Sequence, residues 1–405
     1  MKLLIAIPAY NEEQSIDPII VRSLAARAHI ISTSPVDLVD IAVVSDGSTD
    51  RTLEIARTHE HEVNVINFVT NRGYGAAIQE AWRQSDADLL GFLDADGTCD
   101  PNFFSTLCNT IEDEQADVVL GCRMNKNSRM PLLRRVGNMI FALLLGLFSS
   151  TRVRDTASGM RVVRRKSLDR LEPLPTGMHF TPAMSARGLL DRRLKMREVD
   201  MPYAEREGRS KLNVVRDGFR FLKVIVEAAL LYRPERPLSI MGLICLAVTL
   251  LLMAQPTLYY LANHSVAEWM IYRFVVGHLT GLAACLFFST SYLASRTIEM
   301  TLFEDSNEQS TTAFTKRILH SPAFWLFPFL LMVAGGWLVL PSFFQLVRTG
   351  ATYEHWSRFI AMSFLFSVAI VALTTRVCDH VLNLLGDRLE FLRSRIRPSA
   401  SGLAR

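Results

Sequence analysis

Asp94-Ala95-Asp96-Gly97 follows directly on the apolar run Leu89–Leu93. A buried strand that ends in two carboxylates spaced i, i+2 sends both toward one face at its C-terminal edge, where open α/β sheets take their ligands. Such oxygen donors suit a hard divalent ion, and ions of that kind commonly grip a diphosphate as well. A bare D-x-D arises about once by chance in a chain of this length, so position decides its meaning. Asp86-Ala87-Asp88 has the same spacing but precedes the strand, which predicts a cap for the helix before it.

Strand-like runs at Leu3–Pro8, Ile41–Ser45, Val63–Phe68, Leu89–Leu93 and Val118–Gly121 alternate with helical stretches near Glu12–Ala28, Asp50–Glu60, Ala76–Gln84 and Asn102–Asp113. This βαβα order predicts a mostly parallel sheet with helices on both faces. Polar, Gly-rich sequence falls at four consecutive strand ends: Pro8–Glu12, Asp46-Gly47-Ser48-Thr49-Asp50, Asn71-Arg72-Gly73-Tyr74-Gly75 and Asp94–Asp96. Each alone is explained by a turn or a helix cap, and Ser48 or Asp50 suits that job too. Four in series point to a ligand site.

The 405 residues allow two or three domains, and a net charge of +4 speaks against a nucleic-acid binder. Six cysteines show no paired C-x-x-C spacing, so neither a zinc site nor a disulfide framework is expected, and a reducing compartment is. Leu3–Ala9 is too short for a signal-peptide core and lacks a cleavage site, so it is taken as a first strand. Beyond Tyr232 apolar sequence dominates, with spans expected at Leu238–Ala262, Met270–Leu293, Ala323–Phe344 and, somewhat short, Phe359–Leu373. His278 is the main ionisable residue expected inside them. Basic residues gather before the first span, between the second and third, and after the fourth, which directs both termini to the cytosol.

The ordered motifs Pro8-Ala9-Tyr10-Asn11-Glu12-Glu13, Ser45–Asp50, Asn71-x-Gly73-x-Gly75-x-Ala77, Asp94–Gly97 and Asp155-Thr156-Ala157-Ser158-Gly159-Met160-Arg161 resemble those of family-2 inverting glycosyltransferases of the GT-A fold. More narrowly, the chain looks like the polyisoprenyl-phosphate glycosyltransferases, the group that includes dolichyl-phosphate mannose synthase. The motifs cover roughly residues 1–232; the membrane half matches by topology. The expected architecture is therefore an α/β, Rossmann-like GT-A catalytic domain over residues 1–213 in the cytosol. An amphipathic juxtamembrane helix and linker would follow over 214–237, then a four-helix transmembrane domain over 238–384 and a basic tail over 385–405. A bacterial inner membrane is the expected location.

The resemblance implies that Pro8, Ala9, Tyr10, Glu12 and Ala95 line the nucleotide pocket of a UDP- or GDP-sugar. It also implies that Asp46 accepts a hydrogen bond from the base, and that Gly73 and Gly75 let the backbone approach the donor. Ser45 stands where the family usually has a second Asp. Asp94 and Asp96 would hold Mg²⁺ or Mn²⁺; Thr98 stands where relatives often place a Gln as a further ligand. A sugar hydroxyl acceptor needs a general base, whereas a lipid phosphate is already an anion and needs cations to position it. By the family pattern those cations are Arg123, one of Arg134 or Arg135, and the loop carrying Arg206, Arg209, Ser210 and Lys211. The same stretch also holds Arg129, Arg161, Arg164, Arg165 and Lys166, several of which suit a membrane-facing rim. Asp155 and Ser158 fall on the acceptor or sugar side, with Asp155 either catalytic or structural. Met178–Met184 has no carboxylate where relatives often show one, so no sugar contact carries over.

Val136–Phe148 is too short to span a bilayer and is either a core helix or an interfacial one; Val214–Leu231 has the pattern of a helix lying on the membrane surface. The expected function is transfer of one sugar to a polyprenyl phosphate on the cytosolic leaflet with inversion. Oligomerisation is left open. The alternative is a membrane glycosyltransferase acting on a hydroxyl acceptor, against which stands the absence of the Q-x-x-R-W of processive synthases. A non-enzymatic lipid binder with a degenerate soluble half is the third reading, and intact Asp46, Asp94 and Asp96 argue against it.

Overall fold

A computed structural model describes residues 1–126, 128–204, 214–302, 312–352 and 354–396. The chain divides into two compact units, Met1–Tyr232 and Arg233–Arg405. In the first, β1 (Lys2–Ala9), α1 (Ile16–Thr33), β2 (Leu38–Asp46), α2 (Thr52–Arg57), β3 (Asn64–Phe68), α3 (Tyr74–Arg83), β4 (Leu89–Leu93), α4 (Phe104–Asp113) and β5 (Val118–Cys122) follow the expected alternation. Five more elements come next before the final helix: α5 (Leu132–Phe148), β6 (Met160–Arg164), α6 (Leu168–Leu171), α7 (Phe180–Leu190) and β7 (Met196–Asp200). The unit closes with α8 (Val214–Tyr232), which packs on α7 and α5.

The strands form one sheet in the order β3-β2-β1-β4-β6-β5-β7. β6 is antiparallel to both β4 and β5, while the other described pairings are parallel. Reversing β6 has a direct consequence. Its N-terminus arrives at the edge where the parallel strands end, which carries Asp155–Gly159 to the same side as Asp94 and Asp46. The β1–β4 ladder stops at Ala6–Phe92. Pro8 follows two residues later and has no N–H to extend it, so a cleft opens between the two strand ends.

β1, β4 and β5 are buried along most or all of their lengths, as continuous apolar runs in a two-sided parallel sheet should be. Asp86 and Asp88 do not cap α3. They lie at the opposite edge of the sheet, where Asp88 accepts from the Lys2 backbone N–H at 2.9 Å and Asp86 pairs with the Lys2 ammonium at 2.6 Å. A carboxylate at a helix C-terminus would face the negative end of the dipole, which favours this arrangement.

α5 is amphipathic. Asn138, Leu145 and Phe148 turn inward, while Leu132, Val136, Met139, Ile140, Leu143 and Leu147 form an exposed apolar stripe. α8 shows a similar stripe at Val215, Phe219, Leu222 and Leu230, and the two helices meet through Phe141 and Phe221 at 5.7 Å.

The second unit contains α9 (Glu235–Asn263), α10 (Ile271–Leu302), α11 (Ala313–His320), α12 (Leu326–Thr349) and α13 (Trp356–Ile396). Four stretches, Glu235–Asn263, Glu268–Leu302, Pro322–Thr349 and Trp356–Leu389, are long and apolar enough to cross a bilayer. Small residues let these helices approach, as where Gly281 faces Phe364 and Gly335 faces Phe366. The fourth is far longer than the 15-residue run Phe359–Leu373 suggests, because its later polar residues are paired with neighbouring helices. Buried Asp379 accepts from Tyr292 at 2.7 Å and meets His320 at 2.6 Å, with Arg296 and Arg376 within 3.7 Å. His278 instead packs edge-on against Phe364. Among the described residues of this unit an ionisable cluster therefore forms around Asp379, towards the C-terminal ends of α10 and α11 and partway along α13.

Candidate active site

A cavity of about 460 Å³ opens at the C-terminal edge of the sheet. Pro8, Ala9, Tyr10 and Glu12 form one wall, Asp46, Asn71 and Gly73 a second, and Asp94, Ala95 and Asp96 the floor between β1 and β4. Arg123, Arg134 and Arg220 line the same cavity. Gly75, Arg135 and Asp155 are absent from its lining, and Arg206, Arg209, Ser210 and Lys211 lie outside the described residues.

Local hydrogen bonds set each wall. Asn11 adopts a left-handed backbone (φ 52°), and its side-chain oxygen accepts from the Thr49 N–H at 2.8 Å, while Glu12 N–H donates to the Thr52 hydroxyl at 2.8 Å. Asp50 accepts from the N–H groups of Glu13 and Thr52. This stitching of two strand-end loops delays α1 to Ile16, four residues later than the expected Glu12. Asp46 is buried, and its two carboxylate oxygens accept from the backbone N–H groups of Arg72 at 2.6 Å and Gly73 at 2.9 Å. It therefore fixes the Asn71–Gly73 loop as well as facing the cavity. Gly75 serves packing: a Cβ there would collide with Pro175 O and Phe180.

The two floor carboxylates are each oriented by a hydroxyl. Tyr74 donates to Asp94 Oδ1 at 2.6 Å from within a cluster of Phe92, Phe180 and Trp82. Burial, then the neighbouring Asp94 charge, pushes the Tyr74 phenol well above its ordinary pKa, so it stays a donor. Thr98 donates to Asp96 Oδ1 through its hydroxyl at 2.6 Å and its N–H at 3.2 Å. Gly159, just before β6, lies against Asp94 so closely that a Cβ would overlap Asp94 Oδ2. Tyr74 and Gly159 lie inside motifs visible in the sequence, and Thr98 at the position compared with a ligand Gln, but nothing in the sequence shows that they orient this pair.

Asp155 is fully buried and forms a bidentate pair with Arg123, at 2.7 Å to Nε and 2.9 Å to Nη2. It also accepts from the Arg123 N–H, from the Asn138 amide at 3.0 Å and from the Ala157 N–H. Burial opposes ionisation of both groups, but their mutual attraction outweighs it, holding the carboxyl below and the guanidinium above their usual values. Arg123 in turn stands over the Tyr203 ring at 5.4 Å. Arg161 is entirely buried in β6; burial lowers its pKa to about 10. It donates to the carbonyls of Ser158 and Thr156, and its Nη1 finds no hydrogen-bond partner among the described residues. Arg164 and Arg165 are occupied with Glu112 and with the carbonyls of residues 82, 85 and 87. These three arginines support the fold rather than the cavity.

Asp94 and Asp96 fit a hard divalent ion by chemistry, two carboxylates on the floor of a polar cavity, with remaining positions left to ligand oxygens and water. Among the described residues no cluster of three or more His, Cys, Asp or Glu side chains offers a complete protein-only cage.

Comparison with known proteins identifies the family. The Glycosyl transferase family 2 pattern matches residues 4–172. The low-salt glycan biosynthesis hexosyltransferase Agl6 of Haloferax volcanii is 32% identical over 61% of this chain and 59% of its own length. A dolichyl-phosphate hexose transferase of the same organism is 32% identical over 56% of this chain and 94% of its own. An undecaprenyl-phosphate 4-deoxy-4-formamido-L-arabinose transferase of Photorhabdus laumondii is 30% identical over 60% of this chain and 71% of its own. The chain thus spans from under two thirds to nearly all of these relatives. It belongs to glycosyl transferase family 2, joined here to a unit with four membrane-length helices.

Proposed function

We propose that this protein transfers one sugar from a UDP- or GDP-sugar to a polyprenyl phosphate at the cytosolic face of a membrane, with inversion. The carrying observation is that three guanidinium side chains, Arg123, Arg134 and Arg220, line the cavity whose floor is Asp94 and Asp96. Carboxylates that favour a metal-bound diphosphate and cations that favour a second phosphate thus share one chamber. The relatives named for dolichyl- and undecaprenyl-phosphate transfer support the same reading.

In this mechanism Pro8, Tyr10, Glu12 and Asp46 bound the nucleotide, and Gly73 brings backbone close to it. Asp94 and Asp96 are the residues that would hold Mg²⁺ or Mn²⁺, which when bound stabilises charge on the departing diphosphate. Arg123 and Arg134 orient the acceptor phosphate, whose oxygen attacks the anomeric carbon as the bond to the nucleoside diphosphate breaks on the opposite face. The nucleophile is an anion already, so no side chain removes a proton. Asp155 acts as a positioning residue that holds Arg123.

Membranes containing the protein, given a panel of labelled UDP- and GDP-sugars with undecaprenyl or dolichyl phosphate, should yield a butanol-extractable, acid-labile product from one donor. Label found only on water-soluble glycans would overturn the proposal. A second check concerns Gly159. Its replacement by Ala forces Asp94 to move, so transfer should fall at least tenfold, about 1.4 kcal/mol, while the melting temperature changes little. Unaltered transfer by Gly159→Ala would mean that the placement of Asp94 is not critical.

A further inference from the structure

The first unit contains another cavity, of about 520 Å³, that shares Arg220 with the candidate active site and is otherwise built from different residues. His179 and Arg187 line it from the α7 side, and Arg220, Lys223, Glu227 and Leu231 from α8. Three cationic side chains and an imidazole therefore face a single carboxylate. Arg187 is held in place through Nη1 by the Leu171 carbonyl at 2.7 Å, and Arg220 by Asp217 at 3.3 Å. Lys223 meets Glu227 only loosely, at 3.7 Å, with both side chains largely in solvent. His179 Nδ1 is buried without a hydrogen-bond partner among the described residues. Burial, then the nearby Arg220 charge, favours the neutral ring, which still carries one N–H to donate.

The position of this cavity on α8 says what it faces. At about 100° per residue, Val215, Phe219, Leu222 and Leu230 fall on one stripe, and all are exposed. Lys223, Glu227 and Arg220 come next around the helix, and the cavity opens beyond them beside half-exposed Leu231. An amphipathic helix resting its apolar stripe among acyl chains sets its flanking cations at headgroup depth. The parallel stripe on α5, in contact through Phe141 and Phe221, widens the same apolar surface.

We propose that this cavity binds the phosphate-bearing headgroup of an anionic bilayer lipid, at a site separate from the one where donor and acceptor react. The excess of cations selects an anionic headgroup over a zwitterionic one, and the adjoining apolar stripe selects a lipid over a free anion. The inference depends on the chain being a membrane protein and not on its transfer chemistry.

Native mass spectrometry of the full chain released from detergent tests it, with phosphatidylglycerol, phosphatidylcholine and inorganic phosphate as probes. The unaltered protein should retain phosphatidylglycerol in preference to phosphatidylcholine. His179→Gln/Lys223→Gln should bind one phosphatidylglycerol fewer, its apparent affinity for that lipid weakened about tenfold, as expected for loss of a charge-assisted contact. The melting temperature, which reports on folding, should be unchanged. Should the double variant melt well below the parent, Lys223→Gln alone, at a solvent-exposed position, is read by the same criterion. Equal lipid retention by variant and parent, equal retention of the two lipids, or full displacement by millimolar inorganic phosphate would each overturn the assignment.

Discussion

Asp94→Asn is expected to lower transfer by about 10²–10³-fold, the range seen when one preorganised electrostatic group at a reacting centre is removed. Asn keeps the shape of the side chain and an oxygen that can accept from Tyr74, so the aromatic cluster behind it need not rearrange. What it removes is charge. With Asp96 alone left on the floor, Mn²⁺ should bind more weakly, and the sugar nucleotide with it. Two measurements separate the steps: Mn²⁺ retention by electron paramagnetic resonance, which needs no turnover, and transfer at saturating donor. Chelation of the parent protein by EDTA should reproduce the loss and added Mn²⁺ should reverse it, whereas added Mn²⁺ should restore the variant only in part. Full transfer by Asp94→Asn, or parent activity indifferent to EDTA, would remove the metal from the proposal. Tyr74→Phe supplies a milder contrast, since it leaves both carboxylates charged and frees one of them to rotate.

The parallel half of the sheet was legible because its strands are unbroken apolar runs and its ligand loops are polar and Gly-rich. Chemistry and topology point to the same strand ends there. The other half was not. β6 carries Arg161 and Arg164 in a five-residue strand, a composition that suggests an exposed basic stretch, yet Arg161 is wholly buried and satisfies carbonyls of its own loop. β7 is an edge strand, Met-Arg-Glu-Val-Asp, with its charges tied to Arg154 and Glu114. α7 is buried on almost every face and so lacks the one-sided pattern that reveals a surface helix. The hydroxyls that orient the floor carboxylates escaped for a related reason. Tyr74 and Thr98 lie in the right loops, but nothing in their spacing says which way they turn. Arg134 and Arg135 posed the same problem, and helix α5 resolves it by directing the first to the cavity and leaving the second exposed.

Asp155→Ala should destabilise the protein by about 3–5 kcal/mol, because it strands a guanidinium that is only 11% exposed. For a unit of this size that corresponds to a fall of roughly 10 °C in melting temperature. The acid limb should change as well. Asp155 has a depressed pKa in the folded state, so its contribution is complete above the unfolded value of about 3.9 and disappears as pH falls through the folded one. The variant should therefore lose less stability than the parent on acidification below about pH 4. Because such a variant transfers poorly merely by unfolding, the decisive experiment replaces both partners. Arg123→Met/Asp155→Asn removes the buried charges together and keeps an oxygen to accept from Asn138 and the Ala157 N–H, so it should recover most of the stability. If Arg123 orients the acceptor phosphate, this stable double variant still transfers poorly: the Michaelis constant for polyprenyl phosphate rises while that for the sugar nucleotide is kept. A double variant that is both stable and fully active would confine the Arg123–Asp155 pair to architecture and leave Arg134 and Arg220 as the acceptor's partners among the described residues.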